Sequence, residues 1–200
     1  MSDEWRRSAW VRRAVHWALY WWFRVVHGLR VEGLENLPEE GACIVAGGPH
    51  VSYLDIVMPL AGGPKRVMRG LIKAEVFTIP VVGWFLRKAW SIPLDRKGGI
   101  AGLRAAIDAL EHQGGCVAIF PEGTRSKTGA PGRAKAGVGY IASRSGAPVV
   151  LCKLEGMWGY PFTRRVVVRF GPSVRFEKKD ADIAECQAFA QSVLDGALSL

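Results

Sequence analysis

The chain has 200 residues, 49% hydrophobic and 22% charged, enough for one domain with a substantial core and too apolar for a disordered tail. Its 27 Lys and Arg outnumber its 18 Asp and Glu, and the resulting charge of +9 calls for an anionic partner: nucleic acid, a membrane surface or a phosphorylated substrate. A mean hydropathy of +0.10, with eight Trp, is high for so charged a chain.

The first thirty residues hold the largest shift in composition. Arg6, Arg7, Arg12, Arg13, Arg24 and Arg30 face only Asp3 and Glu4 there, so four of the nine net charges lie in this segment. Trp5, Trp10, Trp17, Tyr20, Trp21, Trp22 and Phe23 are interleaved with them, aromatics that favour the headgroup level of a bilayer. The apolar stretch from Ala14 to Val26 would form a helix of about 20 Å, short of a hydrocarbon core of about 30 Å, so it is not expected to span. A secretory signal also begins this way, but Val26-His27-Gly28-Leu29-Arg30 offers no small-residue cleavage site. Residues 1–30 are read as an interfacial helix against anionic lipid, with His16 and His27 at the surface; a plain core helix is the alternative.

Residues 31–200 read as one domain in which apolar runs alternate with amphipathic stretches. Strands are expected at Ala42 to Ala46, Val67 to Ile72, Ser91 to Leu94, Cys116 to Phe120, Val149 to Leu154 and Val166 to Phe170. Helices are expected at Asp55 to Leu60, Gly99 to His112, Gly137 to Ser145 and Asp182 to Leu198. This alternation predicts an α/β fold with a mostly parallel central sheet flanked by helices, its site on loops at the carboxyl ends of strands. Cys43, Cys116, Cys152 and Cys186 show no metal-ligand spacing and read as small core residues, so no metal is expected.

His50 and Asp55 form an H-x-x-x-x-D pair after the first predicted strand. On one continuous helix, five residues apart, they would diverge. Ser52-x-x-Asp55 is a capping-box pattern that starts the helix at Ser52, leaves His50 in the preceding loop and lets the carboxylate turn back to the imidazole. Read for function, His50 is a general base and Asp55 holds its tautomer and supports the imidazolium; read for structure alone, Asp55 is a cap and His50 a surface residue. Phe120-Pro121-Glu122-Gly123-Thr124-Arg125-Ser126 follows another strand, and its turn presents chemistry suited to a phosphate or carboxylate, or else a solvated loop. Arg96 and Lys135 lie at two further element ends and would add cation to the same sheet edge.

Gly137-Val138-Gly139-Tyr140-Ile141-Ala142 matches a dinucleotide fingerprint, but a polar stretch precedes it where a strand is required. No G-x-S-x-G elbow is present. His112 closes a predicted helix, where it complements the dipole. The apolar segment from Val76 to Trp90 would line an apolar tunnel, rest on a membrane or pack in the core.

In this order, the motifs resemble those of the glycerophospholipid acyltransferases, specifically the 1-acyl-sn-glycerol-3-phosphate acyltransferases, over about residues 33–175. Pro49 to Asp55 resembles the family's catalytic motif, Ile92-Pro93-Leu94-Asp95-Arg96 its second block, and Ala147-Pro148-Val149-Val150 its fourth; Phe120 to Ser126 matches the third without change. Lys73-Ala74-Glu75 and Ile79 to Trp84 resemble intervening segments. Pro49 stands where the family usually carries Asn, Ala134 where a Phe commonly precedes the lysine, and Leu151 where a second Pro often follows.

The resemblance implies acyl transfer from acyl-CoA or acyl carrier protein to the hydroxyl of lysophosphatidic acid, with His50 as base and Asp55 behind it. Glu122, Gly123, Thr124, Arg125, Arg96 and Lys135 would form the phosphate-binding set, without cofactor or covalent acyl-enzyme. The expected location is the cytoplasmic face of the cell membrane, on anionic lipid, with no nucleic-acid partner. Glycerol 3-phosphate or another lysophospholipid as acceptor, and a non-catalytic membrane-surface module, are the competing readings.

Overall fold

A computed structural model describes residues 9–63, 66–89, 91–95, 100–112, 114–158 and 165–200. Seven strands form one sheet: β1 (Arg30–Glu32), β2 (Cys43–Gly48), β3 (Met68–Lys73), β4 (Ile92–Leu94), β5 (Cys116–Ile119), β6 (Val149–Glu155) and β7 (Val167–Val174). Their order is β1-β7-β6-β2-β5-β3-β4, and every neighbouring pair is parallel except β6 and β7. The expected α/β class is what the chain adopts.

Near-continuous apolar runs are what a sheet covered on both faces requires, because successive side chains point to opposite sides. Cys43 and Val45 of β2 join Cys116 and Ala118 of β5 in one core; Ile44, Ala46, Val117 and Ile119 of the same strands belong to the other. The first core is closed by α1 (Ala9–Val26) and α2 (Val57–Leu60), the second by α4 (Ala101–Glu111), α5 (Gly137–Ser145) and α6 (Ile183–Leu198). The remaining helix, α3 (Pro80–Lys88), follows β3 through a 3-10 turn, Ala74–Thr78.

One strand was not expected, and the last runs longer than expected. β1 carries one apolar residue in three, too little for periodicity to show. β7 runs on past the expected end at Phe170, through Gly171 and Pro172 to Val174. Pro172 is tolerated because β1 pairs only with Val167, Val168 and Arg169, leaving an open edge beyond, and because the register with β6 slips between Val150 and Cys152.

In α1, His16, Leu19, Tyr20 and Phe23 recur at helical spacing and face the core. His16 and His27 are buried, against the expectation of surface positions. His27 lies among aromatics, 4.7 Å from Trp22 and 5.4 Å from Phe23 between ring centroids. The opposite face leaves Trp10, Trp17, Trp21, Trp22, Val25 and Val26 exposed. At 18 residues, α1 is about 27 Å long, and among the described residues no helix is long and apolar enough to cross a membrane.

The G-x-G-x-x-A stretch opens α5 and serves packing. A Cβ at Gly139 would lie 2.2 Å from the carbonyl oxygen of Cys186, so the glycine lets α5 and α6 cross in near-backbone contact. The four cysteines are buried free thiols, as their apolar settings suggested.

Candidate active site

β2, β5, β3 and β4 run in one direction, so the loops after Gly48, Ile119, Lys73 and Leu94 leave from the same edge of the sheet. β5 inserts between β2 and β3, which sets the His50 and Phe120 loops side by side.

Ser52 caps the 3-10 turn Tyr53–Ile56 in a full capping box with Asp55, and α2 continues directly from it. His50 is therefore outside the helix, and Asp55 folds back. Asp55 Oδ2 accepts hydrogen bonds from His50 Nδ1 at 2.7 Å, Val51 N–H at 2.7 Å and Ser52 N–H at 2.8 Å. A carboxylate can only accept, so Nδ1 carries the imidazole proton and Nε2 holds the free lone pair. Asp55 is 1% exposed and the His50 side chain 17%, a geometry in which a buried carboxylate backs a half-open base.

His50 borders a cavity of about 290 Å³. Its apolar lining comes from Leu71, Leu94, Leu103, Ile119, Phe120 and Val138, and its polar lining from His50, Lys73, Asp95 and Lys135. Gly123 also lines it, with φ at +64°; a Cβ there would be 3.2 Å from Lys135 Cδ, so the glycine lets the lysine stem lie across the turn.

The residues expected to hold phosphate do not all converge. Gly123 and Lys135 reach the cavity. Thr124 and Arg125 are exposed on the turn just beyond Gly123 and do not line it. Arg96 lies outside the described residues. Glu122 departs most from expectation: it is 2% exposed and contributes nothing to the cavity wall. Its Oε1 accepts from His50 N–H at 2.9 Å and its Oε2 from Gly132 N–H at 3.1 Å.

Lys73 and Phe120 are among the cavity residues that were not anticipated. Lys73 ends β3 and pairs with Glu75 at 3.0 Å; the apolar-to-basic change at its strand's end was the available signal. Phe120 stacks on the His50 imidazole, which sequence reading could not foresee because it depends on β2 and β5 being neighbours. The described part of the Val76 to Trp90 segment, residues 76–89, supplies no residue to this cavity and little to the core, since only Gly83 and Leu86 of α3 are buried. Among the described residues, no three His, Cys, Asp or Glu side chains are grouped to hold a metal.

A loop-borne His–Asp pair at the carboxyl edge of a parallel sheet, opening on a half-apolar cavity with two lysines, is equipped to deprotonate a hydroxyl beside an anion. The family model described as Acyltransferase matches residues 28–154, and the chain belongs to that family. Among its relatives, the chloroplastic 1-acyl-sn-glycerol-3-phosphate acyltransferase BAT2 of Brassica napus is 37% identical over 132 residues, covering 63% of this chain and 37% of that protein. The 1-acyl-sn-glycerol-3-phosphate acyltransferase of Pseudomonas aeruginosa is 30% identical over 181 residues, 84% of this chain and 66% of that protein. The chain thus spans little more than a third of the chloroplast relative's length. The crystal structure of the 1-acyl-sn-glycerophosphate (LPA) acyltransferase PlsC from Thermotoga maritima aligns with a TM-score of 0.75 at 25% identity, covering 100% of this chain and 83% of that one.

Proposed function

We propose that the protein is a 1-acylglycerol-3-phosphate O-acyltransferase, moving a fatty acyl group from the thioester of acyl-CoA or acyl carrier protein to the free hydroxyl of lysophosphatidic acid and giving phosphatidic acid. The observation that carries this reading is the 2.7 Å contact from His50 Nδ1 to Asp55, which leaves Nε2 as the basic nitrogen at a cavity flanked by Lys73 and Lys135. Nε2 takes the hydroxyl proton as the oxygen attacks the thioester carbonyl, and the buried Asp55 carboxylate supports the imidazolium. The C–S bond then breaks, and His50 returns the proton to the departing thiolate. Base catalysis of this kind contributes about 10² to 10⁴ in rate. Lys73 and Lys135 hold the acceptor's phosphate, Thr124 and Arg125 serve its outer side, and Leu71, Leu94 and Leu103 receive alkyl chain.

The exposed tryptophans of α1, with Arg13 and Arg24, suit the headgroup layer of an anionic membrane. α3 touches α1 and exposes Val81, Val82, Trp84 and Phe85 with Arg87 and Lys88 at its end, which supports a reading in which both helices rest on a membrane surface, on its expected cytoplasmic side.

The test is a matrix of acceptors (lysophosphatidic acid, glycerol 3-phosphate, lysophosphatidylcholine) against palmitoyl-CoA and palmitoyl-acyl carrier protein, read as released thiol and acylated lipid. Lysophosphatidic acid should turn over with at least one donor, and His50→Ala should abolish it. Turnover confined to another acceptor would reassign the substrate, and none at all would leave a binding module. Vesicles containing phosphatidylglycerol should sediment the protein, and neutral phosphatidylcholine vesicles far less.

A further inference from the structure

The geometry points to Glu122 as a positioning residue that sets the catalytic base through the main chain of His50, and not as a ligand of the substrate's phosphate. This rests on the reading of His50 as the base. Both main-chain groups of His50 are held by the loop that follows β5. Its N–H donates to Glu122 Oε1 at 2.9 Å, and its carbonyl accepts from Ser126 N–H at 2.7 Å. The second oxygen of Glu122 accepts from Gly132 N–H at 3.1 Å, so one carboxylate ties the base to the stretch leading to Lys135. Lys135 N–H in turn donates to the Pro121 carbonyl at 2.8 Å, which closes the loop on itself.

A buried carboxylate persists only where hydrogen bonds replace its hydration. Here both oxygens are engaged by main-chain donors, and the group is sealed from the cavity. A carboxylate exposed to a phosphate would repel it. Room for the arrangement comes from Gly48, two residues before the base: a Cβ there would be 2.8 Å from Glu122 Oε1 and 3.0 Å from Leu194 Cδ1. The sequence conceals this role, because Glu122 sits in a motif that continues into the exposed, polar Thr124 and Arg125.

Glu122→Gln keeps the shape but offers only one acceptor, so one of the two main-chain N–H groups must face an amide N–H. With lysophosphatidic acid and palmitoyl-CoA, its kcat should fall on the order of 10- to 100-fold, the loss that a misplacement near 1 Å brings, while KM for the acceptor stays within about 3-fold. Gly48→Ala presses on the same carboxylate without altering charge and should give the same split; it decides the matter if Glu122→Gln fails to fold. A raised KM with unchanged kcat would mark Glu122 as a substrate contact and overturn the inference, as would wild-type kinetics in the variants. His50→Ala is assayed in parallel. An active His50→Ala removes the base itself, whereas an inactive one beside a fully active Glu122→Gln removes only the positioning role.

Discussion

The phenyl ring of Phe120 lies 4.2 Å from the imidazole of His50 and within 13° of parallel to it. The ring thereby becomes a wall that prevents the imidazole from rotating away from Asp55, and its face lies against whatever charge the imidazole acquires. Attraction between an imidazolium and an aromatic face is worth about 1 kcal/mol in a partly desolvated site. Phe120→Leu should therefore lower kcat by about 5-fold. Steady-state kinetics with saturating acceptor measure this, and an unchanged kcat would show that the stack is packing alone.

Asp55→Asn separates charge from shape. The amide can keep its oxygen toward Val51 N–H, Ser52 N–H and His50 Nδ1, with its nitrogen in place of Oδ1, which has no donor among the described residues. The capping turn should survive, while support for the imidazolium is lost. The expected result is a kcat lower on the order of 10³-fold with a circular dichroism spectrum like wild type.

Lys135 reaches the cavity across Gly123, and Arg125 sits on the exposed turn beside it. Lys135→Ala should raise KM for lysophosphatidic acid by about 10-fold, the loss of one charge-assisted contact of about 1.4 kcal/mol, and Arg125→Ala should raise it less. Titration of initial rate against acceptor gives the comparison.

The crossing of α5 and α6 depends on Gly139. Because a Cβ would approach the Cys186 carbonyl oxygen to 2.2 Å, Gly139→Ala should destabilise the fold by about 3 kcal/mol, read as a lower urea midpoint. Gly114, where a Cβ meets nothing within 4 Å, has a φ of +55°, so Gly114→Ala tests backbone conformation without a clash and should cost about 1 kcal/mol.

Burial pushes the Cys152 thiol well above the ordinary range. An acid whose folded pKa is raised lends its stability below the unfolded thiol's pKa, near 8.5, and loses it as pH rises from there toward the folded value. Between pH 9 and pH 11 this thiol should contribute a decline of about 1.4 kcal/mol per pH unit, and Cys152→Ala should flatten the alkaline part of the stability profile. Denaturant midpoints across that range provide the check; parallel slopes in the two proteins would rule the contribution out.

Much of this was legible along the chain because it is local. The capping box at Ser52 and Asp55 acts over three residues, so sequence spacing alone placed His50 outside the turn and the carboxylate behind it. The start of α6 at the Asp182–Glu185 box is readable for the same reason. The inward stripe of His16, Leu19, Tyr20 and Phe23 was present in the spacing too, but polar histidines disguised it; aromatic packing around His27 and the shelter of the core override their usual preference.

What the sequence by itself determined is most of the elements, though not β1 or α3, the acyltransferase motifs in their order, and the local His50–Asp55 unit, all products of interactions over a few residues. Only the tertiary structure decided which loops meet. β5 lies between β2 and β3, although it follows both in the chain, and that placement brings Phe120 onto His50, Lys73 and Lys135 to one cavity and Glu122 beneath the base. Strand order comes from burying both faces of the sheet at once, a sum over the whole chain that no single segment records.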